Sequence, residues 1–292
     1  MREITGVALA LVSSALGGTA AAVTRYLVAG TDPVTLAVLR WGIGALCIVP
    51  AALLLKARWP QRDDLAWVAT LGACYFGLFF VLYNIALAYT TAARASLALS
   101  TLPLQTMLVG ALLGIEPLSW RKTAGVLIAT GGVFAALSAG LATAPEGAWR
   151  GEAIMAAAVL CMAAYNVWSR PFIARSSALG YLAVGMASGA VILSTVGLLT
   201  GRVAVLTAYG HGQWIAGIFL GVAGGALAFL LWVMALERAS PTRVANTMTV
   251  NPIAAALLAS ALVDEPITPS LILGLSAVLA GIWIATAASR PD

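Results

Sequence analysis

The sequence predicts an all-α integral membrane protein of ten transmembrane helices, arranged as two inverted five-helix repeats. Composition, a succession of long apolar runs and an internal duplication carry that prediction. Of 292 residues, 61% are hydrophobic and only 9% charged, and the mean hydropathy is +0.97. A soluble domain carries about 25% charged residues, so this chain cannot clothe itself in a water-facing surface. Apolar runs of about 20 residues, the length that crosses hydrocarbon as a helix, fall at 4–28, 33–55, 65–89, 93–114, 119–140, 150–170, 178–200, 213–236, 243–263 and 270–288. Residues 71–132 and 220–281 repeat each other in register, without a gap, at an offset of 149.

The runs are continuous and do not alternate, which favours helices over a β-barrel. The first span follows Arg2 and carries small residues at 19–22, as a signal peptide would. Its layout from Gly6 to Arg25 recurs from Gly151 to Arg170 in the sixth span, at an offset of 145, so it is expected to be a retained helix. In the second span Gly44 and Leu53-Leu54 match Gly189 and Leu198-Leu199 of the seventh at the same offset. The third to fifth spans share the gapless stretch with the eighth to tenth. There Leu71-Gly72 matches Leu220-Gly221, Phe80 matches Phe229, and Ala86-Leu87 matches Ala235-Leu236. Arg94 then matches Arg243, Pro103 matches Pro252, Glu116-Pro117 matches Glu265-Pro266, and Gly125 and Gly132 match Gly274 and Gly281.

The expected units are therefore residues 1–144 and 145–292. Five spans is an odd number, so the second unit is expected upside down relative to the first, an arrangement associated with alternating access to a midplane site.

Basic residues assign the sides. With the N-terminus inside, eleven lysines and arginines face the cytoplasm and four (Arg25, Arg94, Arg150 and Arg202) face outward, while Arg40 falls within a span. This asymmetry predicts cytoplasmic termini. The net charge of +5 forms no basic patch, so nucleic acid is excluded as a partner. Cys47, Cys74 and Cys161 lack metal-site spacing and are expected to be buried thiols. His211 is the sole histidine, and the acid pairs Asp63-Asp64 and Asp264-Glu265 have no partners at catalytic spacing. The expectation is no enzyme, no metal and no cofactor.

The paired run Ala86-Leu87, Arg94, Pro103, Glu116-Pro117, Gly125 and its copy Ala235-Leu236, Arg243, Pro252, Glu265-Pro266, Gly274 resembles the EamA type of the drug/metabolite transporter superfamily over essentially the whole chain. Within it, the chain is most similar to the bacterial aromatic amino acid exporters. The resemblance implies a monomeric, multi-pass exporter in the bacterial inner membrane, with small-molecule substrates and lipid as its partners. It also implies a central cavity surrounded by spans one, three, four, six, eight and nine.

The residues expected to bind substrate lie in those spans. Ser13, Thr19, Asn84, Gln105, Asn166, Asn246 and Asn251 are their deep polar groups, and Tyr75, Phe79, Tyr83, Tyr165 and Trp232 are their aromatic ones. An aromatic pocket with a few amides and hydroxyls suits an amphipathic zwitterion. Ordinary hydrogen bonding between helices would use the same residue types. Pro103 and Pro252 are expected to kink their helices and expose carbonyls to a cavity. Leu102 is added because its copy is Asn251, and positions where the copies differ are where a substrate can be read.

Arg40 is an intramembrane charge and so a candidate functional group, although it could also reach the interface beside Trp41. Glu116-Pro117 and Glu265-Pro266 are expected to cap the helices that follow them. Arg25 and Arg170 are expected to snorkel to the headgroups, and Arg94 and Arg243 to anchor the topology or form a gate. The glycine steps at 217, 221 and 225 and at 185 and 189 predict close helix packing.

All eleven acids lie at span ends or in connections. Proton-driven export of cations uses a titratable membrane carboxylate, so their placement favours an uncoupled facilitator for neutral or zwitterionic solutes. Efflux of other metabolites or of cationic drugs by proton antiport is the alternative, with Glu237 the one residue that could reopen it.

Overall fold

A computed structural model describes residues 2–115 and 144–269 continuously, together with scattered positions between 116 and 143 and between 270 and 280. Among the described residues, eight helices are long and apolar enough to cross a membrane. We number them α1 (Arg2–Val28), α2 (Pro33–Leu54), α3 (Arg62–Tyr89), α4 (Ala92–Leu112), α5 (Ala148–Arg175), α6 (Ala178–Leu199), α7 (His211–Leu236) and α8 (Pro241–Val263).

The expectation of ten transmembrane helices in two five-helix repeats is thereby corrected to eight spans among the described residues. An apolar run of sufficient length is necessary for a crossing helix, but it does not establish a continuous one. The expected spans at 119–140 and 270–288 lie largely outside the described residues, as do Glu116-Pro117 and Arg290.

Local chemistry sets the helix boundaries. Asp32 caps α2 by accepting from the backbone N–H groups of Val34 and Thr35 at 3.0 and 3.2 Å, with Pro33 in the first turn. Thr91, Ser177 and Ser240 cap α4, α6 and α8 in the same way. Such side-chain oxygens satisfy N–H groups that a helix start leaves without a partner.

Two spans are broken in the middle. α4 consists of Ala92–Leu99 and Leu102–Leu112. At the break the Ser100 and Thr101 hydroxyls donate back to the carbonyls of Ser96 and Ala98. α8 consists of Pro241–Asn246, a 3₁₀ turn at Thr247–Thr249, and Val250–Val263. Pro103 and Pro252 follow these breaks, and neither has an N–H to offer the carbonyl four residues earlier.

α3 and α7 remain continuous but widen into π-helix at Ala73–Phe79 and Val222–Leu227. The two widened segments start 149 residues apart, the offset of the sequence duplication.

The closest helix pairs join the first part of the chain to the second. α1 packs on α8 and α7, α5 on α4 and α3, α2 on α6 and α7, α3 on α6, and α4 on α8. Exchanging α1 with α5, α2 with α6, α3 with α7 and α4 with α8 reproduces the same set of pairs. Small residues permit the nearest approaches. Backbone atoms of Gly185 lie where a side chain on Gly72 would start, while Gly217 and Gly221 receive Leu39 and Ile43 of α2.

Ion pairs fasten the ends of the bundle. Arg94 Nε meets Glu152 Oε1 at 2.6 Å, joining the start of α4 to the start of α5. Its sequence copy Arg243 pairs with Glu3, joining the start of α8 to the start of α1. Arg25 turns inward and does not snorkel, donating to the Leu87 carbonyl at 2.9 Å and pairing with Glu265 at 3.2 Å. Glu265 is a cap, but for α4: its second oxygen accepts from the Ala92 N–H at 3.1 Å. Burial pushes the Glu265 carboxyl above the usual range, against the opposing pull of Arg25 and the Ala92 N–H. Glu237 is paired with Arg238 at 2.7 Å at the end of α7. The cysteines are not the buried thiols expected: Cys74, in the π-helical turn of α3, is exposed, and Cys47 and Cys161 are partly exposed.

Candidate functional site: an aromatic cavity between the two helix sets

The π-helical turns shape the centre of the molecule. A π turn holds an extra residue and shifts which side chains share a face. In α3 it brings Tyr75, Phe79, Phe80 and Tyr83 to one narrow cavity that is partly open to the outside. Ser13 and Gly17 of α1 and Arg40 of α2 contribute further wall, as do Leu99 of α4 and Met162 of α5. Ala228, Phe229 and Trp232 of α7 and Met248 and Asn251 of α8 complete the lining. Leu99 and Met248 are the residues whose carbonyls lose a donor to Pro103 and Pro252, so both helix breaks border the cavity.

The aromatic wall is held from behind. Tyr75 stacks on Phe79 at 5.0 Å and on Tyr165 at 4.3 Å between ring centroids. Trp41 meets Phe80, Phe76 and Phe229 edge-on, at 4.3, 4.8 and 5.2 Å. Offset and edge-to-face contacts of this kind fix ring orientation. Trp232 is oriented by its indole N–H, which donates to Asn166 Oδ1 at 2.9 Å.

The polar residues singled out from the sequence divide into two groups. Ser13, Tyr75, Phe79, Tyr83, Trp232 and Asn251 line the cavity. Ser13 also donates to the Ala228 carbonyl at 2.7 Å. The Asn251 side-chain oxygen and the Tyr75 hydroxyl are buried and have no hydrogen-bond partner among the described residues.

The remaining candidates lie outside the lining. Thr19 donates within α1 to the Leu16 carbonyl. Asn84 donates to the Pro33 carbonyl at 2.8 Å, tying α3 to the start of α2. Gln105 bridges α4 to α5 through the Ala156 carbonyl at 2.9 Å. Tyr165 and Asn166 support the wall from α5, and Leu102, Pro103, Asn246 and Pro252 are buried around the two helix breaks.

Arg40, marked in the sequence by its charge inside a span but not counted among the expected binding residues, lines the cavity. It is 3% exposed. Nη2 donates to the Gly224 carbonyl at 2.6 Å, in the π-helical turn of α7. The guanidinium lies 4.8 Å from the Phe80 ring and 5.1 Å from the Trp41 ring. Nε and Nη1 are buried without a hydrogen-bond partner. The Tyr83 hydroxyl also bonds to the guanidinium, and Tyr75 interacts with its charge. Phe80, Phe229, Met162 and Met248 were also missed, because an apolar residue facing a cavity reads the same as one facing a neighbouring helix.

Among the described residues no group of three or more His, Cys, Asp and Glu is placed to hold a metal ion. A membrane-spanning helical bundle around a central cavity bordered by a few polar groups is the arrangement expected of a carrier of small molecules.

Comparison with known proteins gives the family. A sequence model of the EamA-like transporter family matches residues 4–138 and again 149–287, and the chain belongs to that family. It is a multi-pass membrane transporter and not an enzyme. It is similar to an uncharacterized transporter of Archaeoglobus fulgidus, with 24% identity over 91% of this chain and 93% of the relative. It is also similar to a protein of Streptantibioticus cattleyicolor described as a probable terminal-alkyne amino-acid exporter, with 26% identity over 84% of this chain and 81% of the relative. A solved crystal structure shares the fold at a TM-score of 0.72 and 21% identity, covering 100% of this chain and 99% of the other. These relatives support the superfamily and do not single out the aromatic amino acid exporters.

Proposed function

We propose that the protein exports amino acids, aromatic and other large apolar ones included, together with related small metabolites. The reading is carried by the cavity. Its walls are aromatic, and Arg40, Tyr75 and Asn251 keep polar atoms there without a hydrogen-bond partner among the described residues. The similarity to a probable amino-acid exporter points the same way.

Transport proceeds by alternating access, with the units 1–144 and 145–292 moving against each other around the cavity. The exchangeable set of helix contacts and the double family match support that division. The carrier works as a monomer, since one chain encloses the site. It sits in the bacterial inner membrane with both termini cytoplasmic, as the basic-residue asymmetry indicates.

It acts as an uncoupled facilitator. No carboxylate lines the cavity among the described residues, and the cation at Arg40 opposes cationic drugs.

Uptake of a panel of labelled amino acids into proteoliposomes, with and without a pH gradient, tests this. We expect saturable uptake of large apolar amino acids in the absence of a gradient. No uptake of any amino acid would overturn the substrate reading, and strict dependence on the gradient would overturn the facilitator.

A further inference from the structure

We propose that Arg40 is the carboxylate-binding group of the cavity. On this reading the site selects small organic molecules that carry a carboxylate beside an apolar body. The inference rests on the transport reading above and narrows its substrate class.

Three observations lead to it. First, the charge is unmatched. Arg25, Arg94, Arg175, Arg202, Arg238 and Arg243 each pair with a carboxylate near a helix end. Arg40, well inside α2 and almost fully buried, forms no ion pair among the described residues. A buried charge without its counter-ion is costly. One neutral carbonyl, the Tyr83 hydroxyl and two ring faces compensate it only in part.

Second, the guanidinium is fixed in place while keeping donors to spare. Nη2 is held by the Gly224 carbonyl. Nε and Nη1 remain without acceptors, and Arg40 is part of the cavity wall. Charge-assisted hydrogen bonds from such donors to a carboxylate are the strong ones.

Third, the rest of the wall matches the rest of such a molecule. Phe79, Phe80 and Trp232 offer apolar faces, and the unpartnered Asn251 oxygen can accept from an ammonium group. An amino acid and its deaminated acid share the carboxylate, and the test separates them.

The test is calorimetric titration of detergent-purified full-length protein with four compounds. L-Phenylalanine and 3-phenylpropionate carry the carboxylate; L-phenylalaninamide and 2-phenylethylamine do not. We expect the two acids to bind at least about tenfold tighter than the two compounds lacking it, the scale of hydrogen bonds to a charged group. In Arg40→Gln the ratio of acid to amide affinity should fall to about one through weakened binding of the acids. Arg40→Lys keeps the charge but loses the fixed geometry, and should retain part of the preference. It also covers the case in which the glutamine variant does not yield monodisperse protein.

Equal wild-type affinity for acid and amide, or an undiminished ratio in Arg40→Gln, would overturn the assignment of Arg40. If labelled amino acids are taken up while acid and amide bind alike, the transport reading stands and only this inference falls. If no compound binds and no amino acid is taken up, both fall.

Discussion

α3 and α7 occupy equivalent places in the sequence repeat and widen into π-helix at equivalent positions, yet they are filled in opposite ways. Tyr75, Phe76 and Phe79 of α3 stand where α7 has Gly224, Gly225 and Ala228. The helix facing each is filled in complement. Arg40 of α2 lies against the bare turn of α7, while its copy Gly185 of α6 lies against the aromatic turn of α3. Bulk and bareness have changed places across the repeat. The backbone deformation is common to both copies and belongs to the scaffold. The side chains put into it differ, and that difference puts rings at the turn of α3 and leaves room for Arg40 at the turn of α7.

The largest test of this contrast is at the glycines. Gly72→Leu places a side chain against the backbone of Gly185, which cannot give way, and should cost on the order of 3 kcal/mol or more. Gly217→Leu on α7 meets instead the movable end of the Leu39 side chain and should cost less. Heating followed by fluorescence-detected size exclusion ranks the two. Equal loss would mean that the two halves pack alike after all.

The ion pairs come next. Arg94–Glu152 is largely buried, both side chains being 12% exposed, whereas Arg243–Glu3 is 36% and 50% exposed. Glu152→Gln should therefore cost about 3 kcal/mol and Glu3→Gln no more than about 1 kcal/mol, read by denaturant titration in micelles.

Smaller still are the cavity walls. Trp232→Phe removes the donor to Asn166 and should cost about 1–3 kcal/mol. Tyr75→Phe removes a hydroxyl that has no partner, so its stability should stay within about 0.5 kcal/mol of wild type or improve.

The smallest expected effect is a pH slope. Burial raises the folded-state pKa of Glu265, so its favourable contribution is present at low pH and fades as pH rises through that value. The thermal stability of wild type relative to Glu265→Gln should increase between pH 7 and pH 5. A difference that is flat or of opposite slope would show the Arg25 pair to dominate over burial.

Much of the frame was legible in the sequence, because length, apolarity and repetition are properties of a linear string. The apolar runs located the eight described crossings, and the repeated prolines marked both helix breaks. Tyr75, Tyr83, Trp232 and Asn251, chosen by residue type and depth, lie on the cavity. Asn84 and Gln105 were chosen on the same grounds and instead tie helices together, since an amide bonds equally well to a neighbouring backbone or to a ligand. The π-helical turns left no mark in hydropathy. One extra residue per turn does not alter composition, but it decides which side chains share a face. Arg40 was visible as a charge. Its isolation from every described carboxylate was not, because that depends on which helices surround it.

Glu265 gives the chain an order of assembly. One of its oxygens caps the start of α4 and the other holds Arg25 at the end of α1. Both helices are synthesised long before residue 265 leaves the ribosome. During that interval the N-terminus of α4 has no Glu265 to accept its Ala92 N–H, and Arg25 lacks its counter-ion. A nascent chain stalled after α8 would hold every described crossing yet leave that corner of the bundle unlocked.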